Sequence, residues 1–190
     1  MPRRETVFAE GHFYHIYNRG AQKQRIFYEA ENYLYLLKLL KKNVAKYSIT
    51  LIAYCLMPNH YHFLMRVEKN GDLAKCVART FNSYVQAINK RYKRKGSLFT
   101  ERFKSIHIDK EAYLIYLCRY IHGNPLRAGL VDQLENWAFS NYLEFVGLRQ
   151  GHLFSPTFFR SYFSDAKEYS NFVLDGLRQP PENFDNYLLR

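Results

Sequence analysis

The segment 48–67 constrains the fold more than any other part of the chain. Ser48 to Met57 reads Ser-Ile-Thr-Leu-Ile-Ala-Tyr-Cys-Leu-Met, a β-prone and mostly apolar run. Pro58-Asn59 makes a turn, and His60 to Val67 forms the return strand. One strand of this hairpin is expected to be central and buried. Before it, about Glu29 to Lys46, Tyr33, Leu36, Leu37 and Leu40 recur at helical spacing with Lys38, Lys41 and Lys42 among them, an amphipathic helix. After it, Asp72 is a suitable N-cap for a second helix whose inner stripe is Leu73, Val77, Phe81, Tyr84 and Ile88. His12 to Tyr17 reads as a first strand ended by Asn18-Arg19-Gly20, and Phe103 to Ile108 as a fourth. Asp109 is expected to cap a helix from about Lys110 to Gly123, stopped by Pro125 because a proline forces its predecessor out of the α region.

The order β-α-β-β-α-β-α defines an α+β fold, a ferredoxin-like, RRM-like βαββαβ core with an antiparallel sheet and one added helix. Residues 1–131 are read as this domain. Residues 132–190, with Trp137, Tyr142, Phe145, Phe158, Phe159 and Tyr162, are read as a helical extension packed on it, with a loose tail at Pro180-Pro181.

Charge narrows the partners. The net charge of the 190 residues is +11, and it is uneven: residues 1–150 hold 24 basic and 12 acidic side chains, residues 151–190 hold 4 and 5. A polyanion is the natural partner, with nucleic acid ahead of a membrane surface. Seventeen tyrosines and 15 phenylalanines beside those charges suit unpaired bases, which need stacking as well as phosphate neutralisation, although a Tyr-rich core would give the same count. No apolar run approaches the ~20 residues of a membrane span. The opening Met-Pro-Arg-Arg-Glu-Thr is not a signal peptide. Cys55, Cys76 and Cys118 are far apart with no C-x-x-C pair, which fits a reducing, cytoplasmic setting rather than a disulfide framework or a thiolate zinc site.

His60-Tyr61-His62 is the most informative triplet. Alternate side chains on a strand share a face, so both imidazoles can meet one ion. A magnesium-like ion wants roughly six ligands, so a third protein ligand is needed beside water and phosphate oxygens. Tyr120 and Asn124, four apart on one helical face, offer an amide oxygen with a phenol one turn away. A phenol, with a pKa of ~10 in water, is a poor nucleophile unless positioned against a phosphodiester whose charge is neutralised. Attack would leave a 5′-phosphotyrosine and a free 3′-hydroxyl, and the link conserves the energy needed to rejoin strands. Each piece also has an ordinary reading: paired strand histidines are often structural, and tyrosines are abundant here. His122 points about 200° from Tyr120 on a helix and reads as structural or surface. His12, His15, His107 and His152 have no partner pattern.

Leu56-Met57-Pro58-Asn59-His60-Tyr61-His62-Phe63-Leu64 resembles the HUH motif of single-tyrosine transposases. Arg119-Tyr120-Ile121-His122-Gly123-Asn124-Pro125-Leu126-Arg127-Ala128-Gly129-Leu130-Val131 is similar to the signature of their REP-associated branch. His15 to Gly20, Gly96 to Lys104 and Trp137 to Tyr142 match further, so the resemblance covers roughly residues 10–147. It implies Tyr120 as nucleophile, His60 and His62 as metal-binding pair and Asn124 as third ligand, with Mg²⁺ or Mn²⁺ as cofactor. It implies cutting and rejoining of single-stranded DNA at hairpins, here repetitive extragenic palindromes, by a monomer using its own tyrosine, a homodimer being the alternative. Arg19, Arg102, Lys104 and Arg127 fall inside matching segments and are assigned to DNA contact. Lys90, Arg91, Lys93, Arg94 and Lys95 form a basic run that reads either as phosphate contact or as a solvated helix end.

Two other readings stay open on the residues. A non-catalytic RRM-like module would use the same core to stack bases. A zinc hydrolase would use the histidines to activate water, but Glu68, the nearest acid on that strand face, lies about 20 Å along it.

Overall fold

The computed structural model describes residues 6–178; the first five residues and the Pro180-Pro181 tail lie outside them. Four strands, β1 (Phe13–Arg19), β2 (Ile49–Met57), β3 (His60–Val67) and β4 (Lys104–Ile108), alternate with α1 (Ala30–Lys46), α2 (Leu73–Arg91) and α3 (Glu111–Arg127) in the expected order. Three shorter helices follow: α4 (Tyr142–Phe145), α5 (Pro156–Tyr162) and α6 (Ala166–Arg178). The sheet runs β2-β3-β1-β4 with every pair antiparallel, the ferredoxin-like arrangement.

Strand alternation sorts the side chains into two layers. Tyr14 and Ile16 of β1 and Tyr61, Phe63 and Met65 of β3 pack with Leu36, Leu40, Val77, Phe81 and Tyr84 of α1 and α2. The other face carries Cys55, Met57 and Leu64, which pack with Leu117, Tyr120 and Ile121 of α3 and with the C-terminal helices. Most of the aromatic load is therefore core: Tyr33 stacks on Phe27 and Phe139, Tyr61 on Phe81, while Tyr169 sits among Phe145, Phe159 and Phe163. A bare sheet for base stacking, which the RRM-like reading requires, is not what the fold presents, because α3 covers that face.

The two-residue turn places β2 at an edge of the sheet and β3 inside it, yet β2 is almost wholly buried. Its outer edge is met by residues 139–141: Leu56 N donates to Phe139 O, Asn141 N to Tyr54 O, and Cys55 bridges Ser140. Such cover removes the exposed row of peptide groups that makes an edge adhesive. All three cysteines are free and buried. Among the described residues no helix is long and apolar enough to cross a membrane.

Local signals explain most helix boundaries. Glu29 and Asn32 form a capping box at α1, and Asp72 accepts from Lys75 N at α2. Helix α3 departs from expectation at both ends. Lys110, not Asp109, occupies its N-cap, without a side-chain cap. At the other end the helix continues through Pro125 to Arg127. A proline leaves the carbonyl four residues back without its donor. Here Asn124 Nδ2 donates to Tyr120 O at 2.9 Å and Ile121 O at 3.4 Å, and the Arg127 guanidinium also donates to Tyr120 O. The side chains flanking the proline replace what it removes.

The extension grips α3. A Cβ on Gly123 would stand 2.7 Å from Leu177, and one on Gly176 would run into Arg119, so both glycines allow α3 and α6 to approach closely. The Arg119 guanidinium lies between the rings of Tyr116 and Phe172, at 4.9 and 4.7 Å. His122 is fully buried, as one of its two expected readings held: Nδ1 lies 2.5 Å from the Tyr169 hydroxyl and Nε2 2.8 Å from Asn141 Oδ1. Asn141 in turn donates to Ile52 O and accepts from Tyr54 N. This network ties α3 to β2 and α6 at once.

Burial pushes the pKa of His122 down to about 4, with the hydrogen bond to Asn141 acting in the opposite direction. Between pH 6.5 and 4 the unfolded chain therefore binds the extra proton, and stability falls as pH falls through that window, by about 3 kcal/mol for this residue. His60, also lowered to about 4, acts in the same direction. Thermal melts are expected to show a Tm that declines from pH 7 to pH 4.5. His122→Phe should lower the Tm at pH 7 and flatten that decline.

Candidate active site

The site is assembled by register. β1 pairs with β3 so that Tyr17 faces His62 and Arg19 faces His60, while β2 sets Cys55 beside His62 and Met57 beside His60. By alternation His15, Tyr17, Arg19, His60 and His62 all share the face that α3 covers. The rings of His60 and His62 lie 5.1 Å apart at 88°. Tyr120 enters from α3 with its ring 5.4 Å from that of His62, edge to face, and 6.4 Å from that of His15. Asn124 follows one turn later. The Arg127 guanidinium lies 4.5 Å over the Tyr120 ring.

The imidazoles are held neutral. Burial, with the nearby Arg19 charge adding to it, lowers the His60 pKa to about 4. Burial, then His15, then His60, hold His62 well below its ordinary value. At neutral pH both rings keep a lone pair for a cation. His60 Nδ1 is 2.6 Å from Asn59 Oδ1 and His62 Nδ1 is 3.0 Å from His15 Nε2. His62 Nε2 is buried with no hydrogen-bond partner among the described residues. Burial lowers the pKa of Arg127, and Tyr120 acts on it in the opposite sense, as a guanidinium beside a potential phenolate must.

These residues fit a divalent cation that completes its shell from substrate. His60, His62 and the Asn124 amide oxygen, whose nitrogen is committed to its own helix, could supply an N,N,O set. Two imidazoles favour Mn²⁺ over Mg²⁺, which prefers oxygen throughout. Among the described residues no group of three His, Cys, Asp or Glu could hold a metal by itself, and Glu68 is engaged with Arg66 at 2.6 Å. Among the described residues the histidine pair has no third His, Cys, Asp or Glu with which to complete a self-sufficient zinc centre.

The basic residues divide. Arg19, Lys104 and Lys23 border one recess of about 300 Å³ next to Tyr17, at the histidine end of β1. Arg102 borders an adjoining groove of about 720 Å³, between α2 and residues 97–103, with Phe81, Phe99 and Phe103. Arg127 is drawn onto Tyr120. In the Lys90–Lys95 run, Arg91 pairs with Glu29 at 2.6 Å, and Arg94 donates to the Tyr28 hydroxyl and to Gln24 Oε1. Those two secure the α1–α2 layer, while Lys90, Lys93 and Lys95 remain exposed on it, across the sheet from the histidines.

His15 is the site residue that sequence reasoning passed over. It is wholly buried, stacked on Tyr17 at 4.7 Å and on His62 at 5.2 Å. The alternation His15-Tyr17-Arg19 carried a hint of one polar face, but only the β1–β3 register names His62 as its neighbour. His12 and His107 pair at 2.7 Å on the exposed surface instead.

Fold and site together define a ferredoxin-like domain that sets a helix-borne tyrosine against a strand-borne histidine pair. Residues 9–124 match the family model described as IS200-like transposase, and the chain belongs to that family. A Haemophilus influenzae protein, named as a candidate REP-associated tyrosine transposase, is 24% identical over 112 residues, 54% of this chain. The match spans 64% of that relative's length. The solved structure of a REP-associated tyrosine transposase bound to a REP hairpin is similar in fold, with a TM-score of 0.65 at 18% identity, covering 82% of this chain and 94% of that one.

Asn124 is expected to have a structural role that can be measured separately from any ligand. Asn124→Ala leaves the Ile121 carbonyl short of a donor beside Pro125, while the Tyr120 carbonyl keeps Arg127, and should lower the unfolding free energy by about 1 kcal/mol in urea titrations.

Proposed function

We propose that this transposase-family protein cuts and rejoins single-stranded DNA at hairpin-flanked sites through a covalent bond to Tyr120. The observation that carries the reading is the Tyr120 ring held edge-on to His62, beside His60, under a guanidinium from its own helix. The Tyr120 oxygen attacks phosphorus, the P–O3′ bond breaks, and the DNA is left with a 5′-phosphotyrosine and a 3′-hydroxyl that has gained the proton equivalent the phenol lost. Reversal by another 3′-hydroxyl rejoins strands without a nucleotide cofactor.

Each residue contributes a definable effect. The Arg127 guanidinium lies over the Tyr120 ring and would offset negative charge developing on the phenol. Arg19 and Lys104, bordering one recess at the end of β1, suit the phosphates that flank the scissile bond. Packing of α3 against the sheet fixes the attack direction before substrate arrives, which is where positioning contributes most to rate. His60, His62 and Asn124 would hold Mg²⁺ or Mn²⁺, which when bound neutralises charge on the phosphate oxygens. The substrate proposed is a palindromic hairpin of the REP type, because a solved structure similar in fold is that of a REP-associated tyrosine transposase bound to a REP hairpin. The grip of α6 on α3 favours a monomer acting with its own tyrosine.

The test is a labelled single-stranded hairpin oligonucleotide incubated with Mn²⁺ and resolved on a denaturing gel. Wild-type protein should give a retarded covalent species that Tyr120→Phe abolishes. Binding without any adduct would reduce the protein to a hairpin-binding module. Cleavage that survives Tyr120→Phe would assign the chemistry to water.

Hairpin affinity should fall steeply with salt. Lys104→Ala is expected to weaken binding and to reduce the slope of log K against log salt by roughly 0.7, the value of one phosphate contact on a single strand. An unchanged slope would remove Lys104 from the interface.

A further inference from the structure

His15 is a wholly buried polar side chain that neither the proposed chemistry nor DNA contact uses. Its Nε2 lies 3.0 Å from His62 Nδ1, and the two rings are near parallel, 20° apart. Two neutral imidazoles meeting nitrogen to nitrogen share one proton, and there are two ways to place it. If His62 Nδ1 carries the proton, His62 Nε2 keeps its lone pair and can bind a cation. If His15 Nε2 carries it, the proton of neutral His62 sits on Nε2 and blocks that nitrogen. Among the described residues His62 Nε2 has no hydrogen-bond partner to select between the two.

We propose that His15 is a positioning residue: it accepts a hydrogen bond from His62 Nδ1–H and so fixes the ring and tautomer that leave His62 Nε2 as a metal ligand. The inference rests on the reading of His62 as a ligand in the proposed function. Ligating histidines are commonly held through their second nitrogen by a carboxylate or a carbonyl. An imidazole does the same work without adding negative charge to a recess that Arg19, Lys23 and Lys104 line together with Glu101. The stacking of His15 on Tyr17 restricts its own rotation and so makes the acceptor a rigid one.

Two measurements on the full chain decide it. In the metal-free wild type, long-range ¹⁵N–¹H correlation spectra should show the His62 proton on Nδ1; a proton on Nε2 overturns the proposal without any variant having to fold. Titration with Mn²⁺ alone, followed by the signal of free Mn²⁺ in electron paramagnetic resonance, gives the affinity. His15→Leu should weaken binding about 10–100-fold while hairpin affinity in chelator stays at the wild-type level. His15→Gln, which can set an amide oxygen near the position of the lost nitrogen, should recover most of the Mn²⁺ affinity. Wild-type binding left undiminished by His15→Leu overturns this inference alone. Wild-type protein with no Mn²⁺ binding, or binding that survives His62→Ala, overturns the cation reading and this inference with it.

Discussion

The packing of α3 across one sheet face sets where His15, His60, His62 and Tyr120 lie. The face would otherwise expose His60, His62, His15 and Tyr17 to water, and their pKa values and rotamers would be those of surface groups. Covered by α3, His62 and His15 are fully buried, His60 and His62 are held neutral, and the Tyr120 ring lies against His62 and His15. Burial thus acts twice: it removes the proton that would compete with a cation, and it holds the phenol at a fixed angle to the pair.

That packing needs support, because α3 carries a proline near its site-bearing end and spans residues that are buried on nearly all sides. The C-terminal helices supply the support. Arg119 between Tyr116 and Phe172, Leu177 against Gly123, and the His122–Tyr169–Asn141 network bind the helix from its outer side while β2 binds it from within. Buried polar groups in that network are satisfied at both nitrogens of His122, so it positions α3 without the penalty of an orphaned group. The extension is accordingly part of the architecture of the site, though it contributes none of the residues assigned to the chemistry.

The positive charge is less uniform in purpose than its total implies. Arg91 and Arg94 tie the end of α2 to the segment that leads into α1, Arg119 and Arg127 lie on aromatic rings, and Arg19, Lys104 and Arg102 line the recesses. A count of lysines and arginines therefore overstates the DNA-facing charge. The aromatic count overstates base stacking in the same way, since most of those rings fill two cores.

Much of this was legible in the residues. Period-2 and period-3.6 patterns placed four strands and three long helices, because local backbone preference and one-sided burial leave direct traces in sequence. His60 with His62, and Tyr120 with Asn124, were legible as pairs because each pair lies within one element, where spacing alone puts them on one face. The end of α3 was misread at Pro125 because its compensation comes from the side chains of Asn124 and Arg127, which no helix rule anticipates. His15 was passed over because its partner is 47 residues away and is chosen by strand register. The sequence by itself determined the elements and the chemistry each could carry. Only the tertiary structure decided which face was covered, which imidazoles met and which cations were already engaged, because those depend on contacts between segments far apart in the chain.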